Sequence, residues 1–202
     1  MKKTRKKRRP GGRSSKAKGS AFERKICRLL SLWVTGGTDD SLFWRSSQSG
    51  GRATSRKKAG KDLANQAGDI CAIDPAGFGF TNTFFVECKC YRTLKLDSLF
   101  YPIKGVLLPM WAKCREQAAM YGKVPLMIVC ENQRPPLVVL DAKYTVPIIA
   151  NFPAQCLSVY FLDDFLATDP NIFIQGGSDA GDHNRGLASD KPKRRRVSLQ
   201  VA

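Results

Sequence analysis

Residues 83–92, TFFVECKCYR, place the tightest limit on how this chain can fold. The aromatic and β-branched content predicts a strand, yet Glu87 and Lys89 interrupt it. Alternation puts Glu87 and Lys89 on one face with Phe85, and turns Val86, Cys88 and Cys90 to the other. Such a strand is either an exposed rung bearing an ion pair or one wall of a reactive site. The neighbouring segments supply its layers. SAFERKICRLLSLWV, from Ser20, carries Phe22, Ile26, Leu29, Leu30 and Trp33 at helical spacing, and TGGTDDS ends it. LFWRSSQSG reads as a short strand running into a loop. GDICAID reads as a strand and PAGFG as a turn, so GDICAID and TFFVECKC are expected to form a hairpin. LDSLFYPIKG is irregular. PMWAKCREQAAMYGK is a helix with Pro109 near its start and Gly122 at its end. PLMIVCEN and PLVVLDAK are buried-type strands, and LSVYFLDDFLAT is a strand breaking into a short helix. The order α-β-β-β-α-β-β predicts a mixed α/β sheet in one domain.

The net charge of +17 lies mostly outside that domain. Residues 1–18 carry ten Lys or Arg and no acid, and residues 191–196 carry five more. Setting those fifteen aside leaves +2 for residues 19–190. The chain therefore divides into a disordered basic arm (1–18), a folded body (19–174) and a polar, basic tail (175–202). Such arms attract polyanions, nucleic acid above all. Within the body, one cluster stands out: Arg45, Arg52, Arg56, Lys57, Lys58 and Lys61, with no acid between them. It lies in a Gly-rich loop suited to phosphate contacts.

The seven cysteines are odd in number, and none lies in a C-x-x-C pair. No apolar stretch follows the basic start, and LFYPIKGVLLPMW is short and broken by Pro102, Lys104 and Pro109. These features predict free thiols in a reducing, cytoplasmic compartment, with no membrane partner. PKRRRV in the tail also matches a nuclear-import string. Cys88 and Cys90 face away from Glu87 and Lys89, which assigns them to packing rather than to zinc. The single His183 lies in the polar tail, away from any place where imidazole catalysis could be built.

The chemistry concentrates in Glu23, Asp69, Glu87 and Lys89. Asp69 follows Gly68 at the head of one strand, and Glu87 and Lys89 lie on the next. Two close carboxylates repel, and a divalent cation relieves that repulsion. Mg²⁺ held this way activates water and neutralises charge on a phosphate oxygen. A nearby ammonium orients the attacking water and stabilises the transition state. The E-x-K pattern is itself common and occurs twice, at Glu23–Lys25 and Glu87–Lys89. On a helix positions i and i+2 diverge, whereas on a strand they converge, and only the second match sits on a strand.

This combination resembles the PD-(D/E)XK nuclease superfamily. KGSAFERKICRLL, WRSSQSGG, GDICAID and FFVECK together resemble the archaeal-type Holliday junction resolvases and their phage relatives. The likeness covers about residues 18–92 and is weaker through WAKCREQAAMYGKVPLMIV. It implies a restriction-endonuclease-like fold, a mixed β-sheet flanked by helices. It also implies a metal-dependent endonuclease acting on branched DNA, with Mg²⁺ as cofactor and Mn²⁺ able to substitute. Carried over by position, Asp69 and Glu87 hold the metal with the Cys88 main-chain carbonyl. Lys89 is the catalytic lysine, and Glu23 is the helix acid. A loop serine, Ser47 or Ser49, assists. QAAMY, with Gln117 and Tyr121, resembles the Q-x-x-x-Y motif of RecB-like nucleases. A two-fold symmetric junction needs two nicks, which implies a homodimer.

The chain departs from the superfamily pattern at Gly68, where Pro is frequent, and in the insertion RATSRKKAGKDLANQA before Asp69. Other readings remain open from the residues alone. SAFE is also a capping box, in which Glu23 would serve its own helix end. Asp69 could be a turn residue, and Glu87 with Lys89 an exposed pair. The whole could be a nuclease of restriction-like or flap-cutting specificity, or a basic DNA-binding protein without catalysis.

Overall fold

A computed structural model describes residues 15–46, 67–101, 104–141, 150–152 and 157–174. Helix α1 (Ser15–Val34) leads to strand β1 (Phe43–Arg45), then β2 (Ile70–Ala72). A 3₁₀ turn (Pro75–Gly77) runs into helix α2 (Phe78–Thr83) and strand β3 (Phe84–Tyr91). After a second 3₁₀ turn (Leu96–Leu99) come α3 (Leu107–Met120), β4 (Val124–Glu131), β5 (Leu137–Leu140), β6 (Ala150–Phe152) and β7 (Leu157–Phe161). Two short helices, α4 (Leu162–Leu166) and α5 (Asn171–Ile174), follow.

The main sheet has five strands in the order β3-β4-β5-β7-β6. β3 and β4 are parallel and joined through α3, the connection parallel neighbours require. β4, β5, β7 and β6 pair antiparallel. The expected mixed α/β architecture is therefore what the chain adopts.

Strand alternation sorts the core into two layers. Val86 and Cys88 of β3, Leu126 and Ile128 of β4, Val138 and Leu140 of β5 and Tyr160 of β7 pack on Phe22, Ile26, Cys27 and Leu30 of α1. Phe85, Met127, Val129, Leu137, Val139, Leu157 and Val159 face the other way, onto Leu107, Trp111, Cys114 and Ala118 of α3. The sheet is thus covered on both faces, which is why its central strands read as unbroken apolar runs. The two faces of β3 are those its alternation predicts. Trp33 anchors the α1 layer, its ring centroid 4.8 Å from Phe165 and 6.0 Å from Phe80, while its indole N–H donates to the Thr168 carbonyl at 2.7 Å.

Three expectations need correction. The helix does not begin at Ser20: it already runs from Ser15, so Ser15–Lys18 are helical rather than part of an unstructured arm. GDICAID and TFFVECKC do not form a hairpin. β2 pairs antiparallel with β1 in a separate two-stranded sheet, and the following residues form α2 instead of a tight turn. The segment before β2 meets β3 through one parallel bridge, Gly68 to Val86. PAGFG is consequently not a simple turn but the 3₁₀ entry to α2, capped by Asp74, whose side chain accepts from the Ala76 N–H at 2.8 Å.

Among the described residues no helix is long and apolar enough to cross a membrane. Ser47, Ser49, Arg52, Arg56, Lys57, Lys58 and Lys61 lie outside the described residues, as do residues 1–14 and the tail 175–202.

Candidate active site

β3 is an edge strand of the main sheet, and its outer edge is where the site forms. The Asp69 N–H donates to the Val86 carbonyl at 2.7 Å, continuing a parallel ladder along that edge. The chain then veers away. The Asp69 carbonyl is taken by the Ser46 N–H at 2.9 Å, on the β1 side. That diversion would orphan the next β3 donor, the Cys88 N–H. The Asp69 carboxylate replaces the missing carbonyl, its Oδ2 accepting from the Cys88 N–H at 2.8 Å. A carboxylate is thereby fixed at the strand edge, only 5% exposed.

Gly68 makes the approach possible. Its φ is +90°, and a Cβ there would lie 2.5 Å from the Val86 carbonyl oxygen. Proline, frequent at this place in the superfamily pattern, has φ near −65° and cannot adopt this backbone. Glycine is the residue that lets this chain lay Asp69 against β3.

Lys89 ties the acids together. Its Nζ lies 3.4 Å from Asp69 Oδ2 and contacts Glu87 Oε1 directly. Burial works against the Lys89 ammonium, but the Asp69 and Glu87 carboxylates outweigh it, and its pKa is raised above the usual lysine value. Lys89 is therefore a fixed cation near neutral pH, not a proton acceptor. Glu87 moves the other way from a normal salt-bridged acid. Burial and the neighbouring Asp69 charge raise its pKa, and the opposing pulls of Lys89 and Lys113 do not cancel them. Two carboxylates face one ammonium, and the site is short of positive charge. Lys113, on α3, escaped the sequence reading, although it sits four residues before Gln117 on one helical face.

Glu23 is not a cap. Ser20 lies inside α1, so the capping-box geometry does not exist. Glu23 Oε2 instead accepts from Arg45 Nε at 2.5 Å. Glu23 stands on α1, the helix that packs against the Val86 and Cys88 face of β3, opposite the face of Glu87. Arg45, read from sequence as a DNA contact, has its Nε occupied by Glu23. Gln117 is half-buried on α3, and the Tyr121 ring stacks on Phe85 with centroids 5.9 Å apart.

Cys27, Cys88 and Cys114 are packing residues, buried in the two core layers. Burial pushes the Cys27 thiol up to about 12 and also raises Cys88 and Cys114 well above the ordinary thiol value, so all three stay neutral. Among the described residues no three His, Cys, Asp or Glu side chains form a closed metal cage. The open donor set at the strand edge suits a hard cation better. It consists of the Asp69 and Glu87 carboxylates and the Cys88 carbonyl, which points to the same edge as the Cys88 N–H. Mg²⁺ uses such a set, with one or two carboxylates and water filling the other positions. Burial and then the Asp69 charge raise Glu87, and a divalent cation would neutralise that neighbouring charge.

No curated protein and no solved structure matches the chain. A family model described as "Phage putative PDDEXK endonuclease" matches residues 14–164, about three quarters of the sequence, and spans Glu23, Asp69, Glu87 and Lys89. With a match of that extent, the chain belongs to the phage PD-(D/E)XK endonuclease family.

Proposed function

We propose that this endonuclease hydrolyses DNA phosphodiester bonds in a divalent-metal-dependent reaction, and that its substrate is branched DNA, the Holliday junction first. The observation that carries the chemistry is the convergence of Asp69, Glu87 and Lys89 at the open edge of β3. Asp69 and Glu87, with the Cys88 carbonyl, would hold Mg²⁺ or Mn²⁺. The ion would supply a water of lowered pKa and neutralise charge on the phosphate. Lys89, held protonated, orients the attacking water and stabilises the charge that builds on the phosphoryl oxygens. Water adds at phosphorus, one P–O ester bond breaks, and the product is a nick with a free phosphate and a free hydroxyl. Glu23 stands behind this edge, and its Arg45 pair keeps a guanidinium beside the substrate path. Arg52, Arg56, Lys57, Lys58 and Lys61, with Ser47 and Ser49, would contact the phosphate backbone as the loop meets DNA. Gln117 and Tyr121 have an auxiliary, positioning role at most.

The junction reading rests on the resemblance of residues 18–92 to resolvases. It makes the working unit a homodimer and places the enzyme in recombination or repair, in the reducing interior of a phage-infected cell. One panel tests it. The full chain is incubated with a four-way junction, a flap and a linear duplex, in Mg²⁺ or EDTA. Paired symmetric nicks in the junction, abolished by EDTA, are expected. Cutting of flap or duplex alone would assign another PD-(D/E)XK specificity. Binding to all three without metal-dependent cleavage would leave a DNA-binding protein.

A further inference from the structure

Beyond the acid-lysine edge, a second polar concavity lies at the end of the same strand. Lys18 of α1, Arg92 and Thr93 after β3, and Asn132 and Gln133 in the β4–β5 turn line an open cleft of about 480 Å³. All five side chains can donate hydrogen bonds, two are cationic, and none is a carboxylate. The nearby Glu131 is used elsewhere. Its Oε2 accepts from the Leu94 N–H at 3.1 Å and its Oε1 pairs with Arg134 at 3.3 Å. Arg28, Arg45, Lys89 and Arg134 are each ion-paired, whereas Lys18 and Arg92 have no acid partner among the described residues.

The cleft is also built. The Asn132 N–H donates to the Tyr91 carbonyl at 3.1 Å, and the Arg134 N–H closes the turn onto the Glu131 carbonyl at 3.2 Å. Gln133 is held at φ +62°, a left-handed backbone that non-glycine residues adopt only when their surroundings fix it. The β4–β5 turn is thus fixed against the end of β3, with Lys18 of α1 on the remaining side of the hollow.

We propose that this cleft binds one backbone phosphate of the DNA strand, away from the scissile bond; the inference rests on the nuclease reading of the β3 edge. Acceptor-only phosphate oxygens suit a wall in which every side chain can donate and none is an anion. Arg92 lies three residues beyond Lys89, about 10 Å along an extended strand. Lys18 lies five residues before Glu23, about 7.5 Å along a helix. Alternation turns Arg92 toward the α1 face, opposite Lys89, so the DNA strand must round the open edge of β3 to reach the cleft; each phosphate advances about 3.4 Å along a duplex axis, and such a span is a few nucleotides. The chain also enters α1 here, directly after fourteen residues that hold eight Lys or Arg and no acid. That favours a polyanion over a free phosphate.

The test compares the full chain with Lys18→Ala/Arg92→Ala, and with Arg115→Ala as a control that removes an exposed cation elsewhere. Junction and duplex binding are measured in EDTA across salt concentrations, and cleavage in Mg²⁺. The double variant should bind about ten-fold more weakly near physiological salt. Its plot of log affinity against log salt should flatten by about one unit, the signature of one lost phosphate contact. Its kcat at saturating DNA should stay within about two-fold, since neither residue touches the reacting atoms. Arg115→Ala should leave the slope unchanged. An unchanged slope in the double variant, or an equal loss in Arg115→Ala, would overturn the cleft. So would loss of inorganic phosphate binding with DNA binding intact, because that describes a small-anion site. Flattening of the slope in the double variant, when the wild-type protein itself cuts no DNA, would leave the cleft standing and remove the nuclease reading.

Discussion

Glu87→Gln is expected to abolish cleavage while making the metal-free protein more stable. The substitution keeps the shape of the side chain and removes its charge. Turnover at saturating DNA and Mg²⁺ should fall on the order of 10³-fold, the scale of losing a principal electrostatic stabiliser in an active site. Stability should move the opposite way because the folded state holds the Glu87 carboxyl above its ordinary pKa of 4.5, through burial and the adjacent Asp69. A raised carboxyl pKa means that the folded state binds its proton more tightly than the unfolded state. The stabilising contribution of that proton is present at low pH and is lost as pH rises through the raised value. The melting temperature of the variant in EDTA should therefore match wild type in acid and exceed it near neutral pH. Each kcal/mol would appear as about 2–4 °C in a chain of this size. Cutting within ten-fold of wild type would remove Glu87 from the site, and a lower neutral-pH melting temperature would show that its pair with Lys89 outweighs its burial.

The second large effect concerns Gly68. Gly68→Ala should cost about 2–4 kcal/mol, from left-handed backbone strain and from a Cβ meeting the Val86 carbonyl. That corresponds to a fall in melting temperature on the order of 5–15 °C. Gly68→Pro should be worse, because proline excludes the observed φ of +90° altogether. Calorimetric melts check the first, and soluble yield with circular dichroism checks the second. Cleavage should fall with stability, since the displaced segment carries Asp69. An alanine variant melting within about 1 °C of wild type would mean that Asp69 approaches β3 by another backbone path.

The grouping of Asp69, Glu87 and Lys89 was more legible in the sequence than the topology that brings them together. Glu87 and Lys89 could be placed on one face because strand alternation is rigid, and the two core layers of β3 follow that rule. The apolar runs of β4, β5 and β7 were equally plain, because both faces of those strands are buried. The hairpin between β2 and β3 was misread. FGFTNT has the aromatic and β-branched content of a strand, yet it forms α2, where Phe80 is buried against Phe43 and Phe84. Tertiary packing overrode local propensity there. β6 is three residues long and carries no period to detect. The partner of Glu23 was invisible too, since Arg45 reaches it across 22 residues. Gly68 looked like a lapse from a family pattern and is instead the residue that sets the approach of Asp69. The cleft of Lys18, Arg92 and Asn132 joins three segments distant in sequence, and no local pattern signals that they meet.

Calorimetric titration of the full chain with Mn²⁺ or Mg²⁺, beside Asp69→Asn and Glu87→Gln, tests the central claim most directly. One saturable site is expected in wild type, weakened at least ten-fold in each variant, the scale of losing one ligand or its support. Equal cation binding by all three proteins would contradict the assignment of Asp69 and Glu87 as the metal-holding pair.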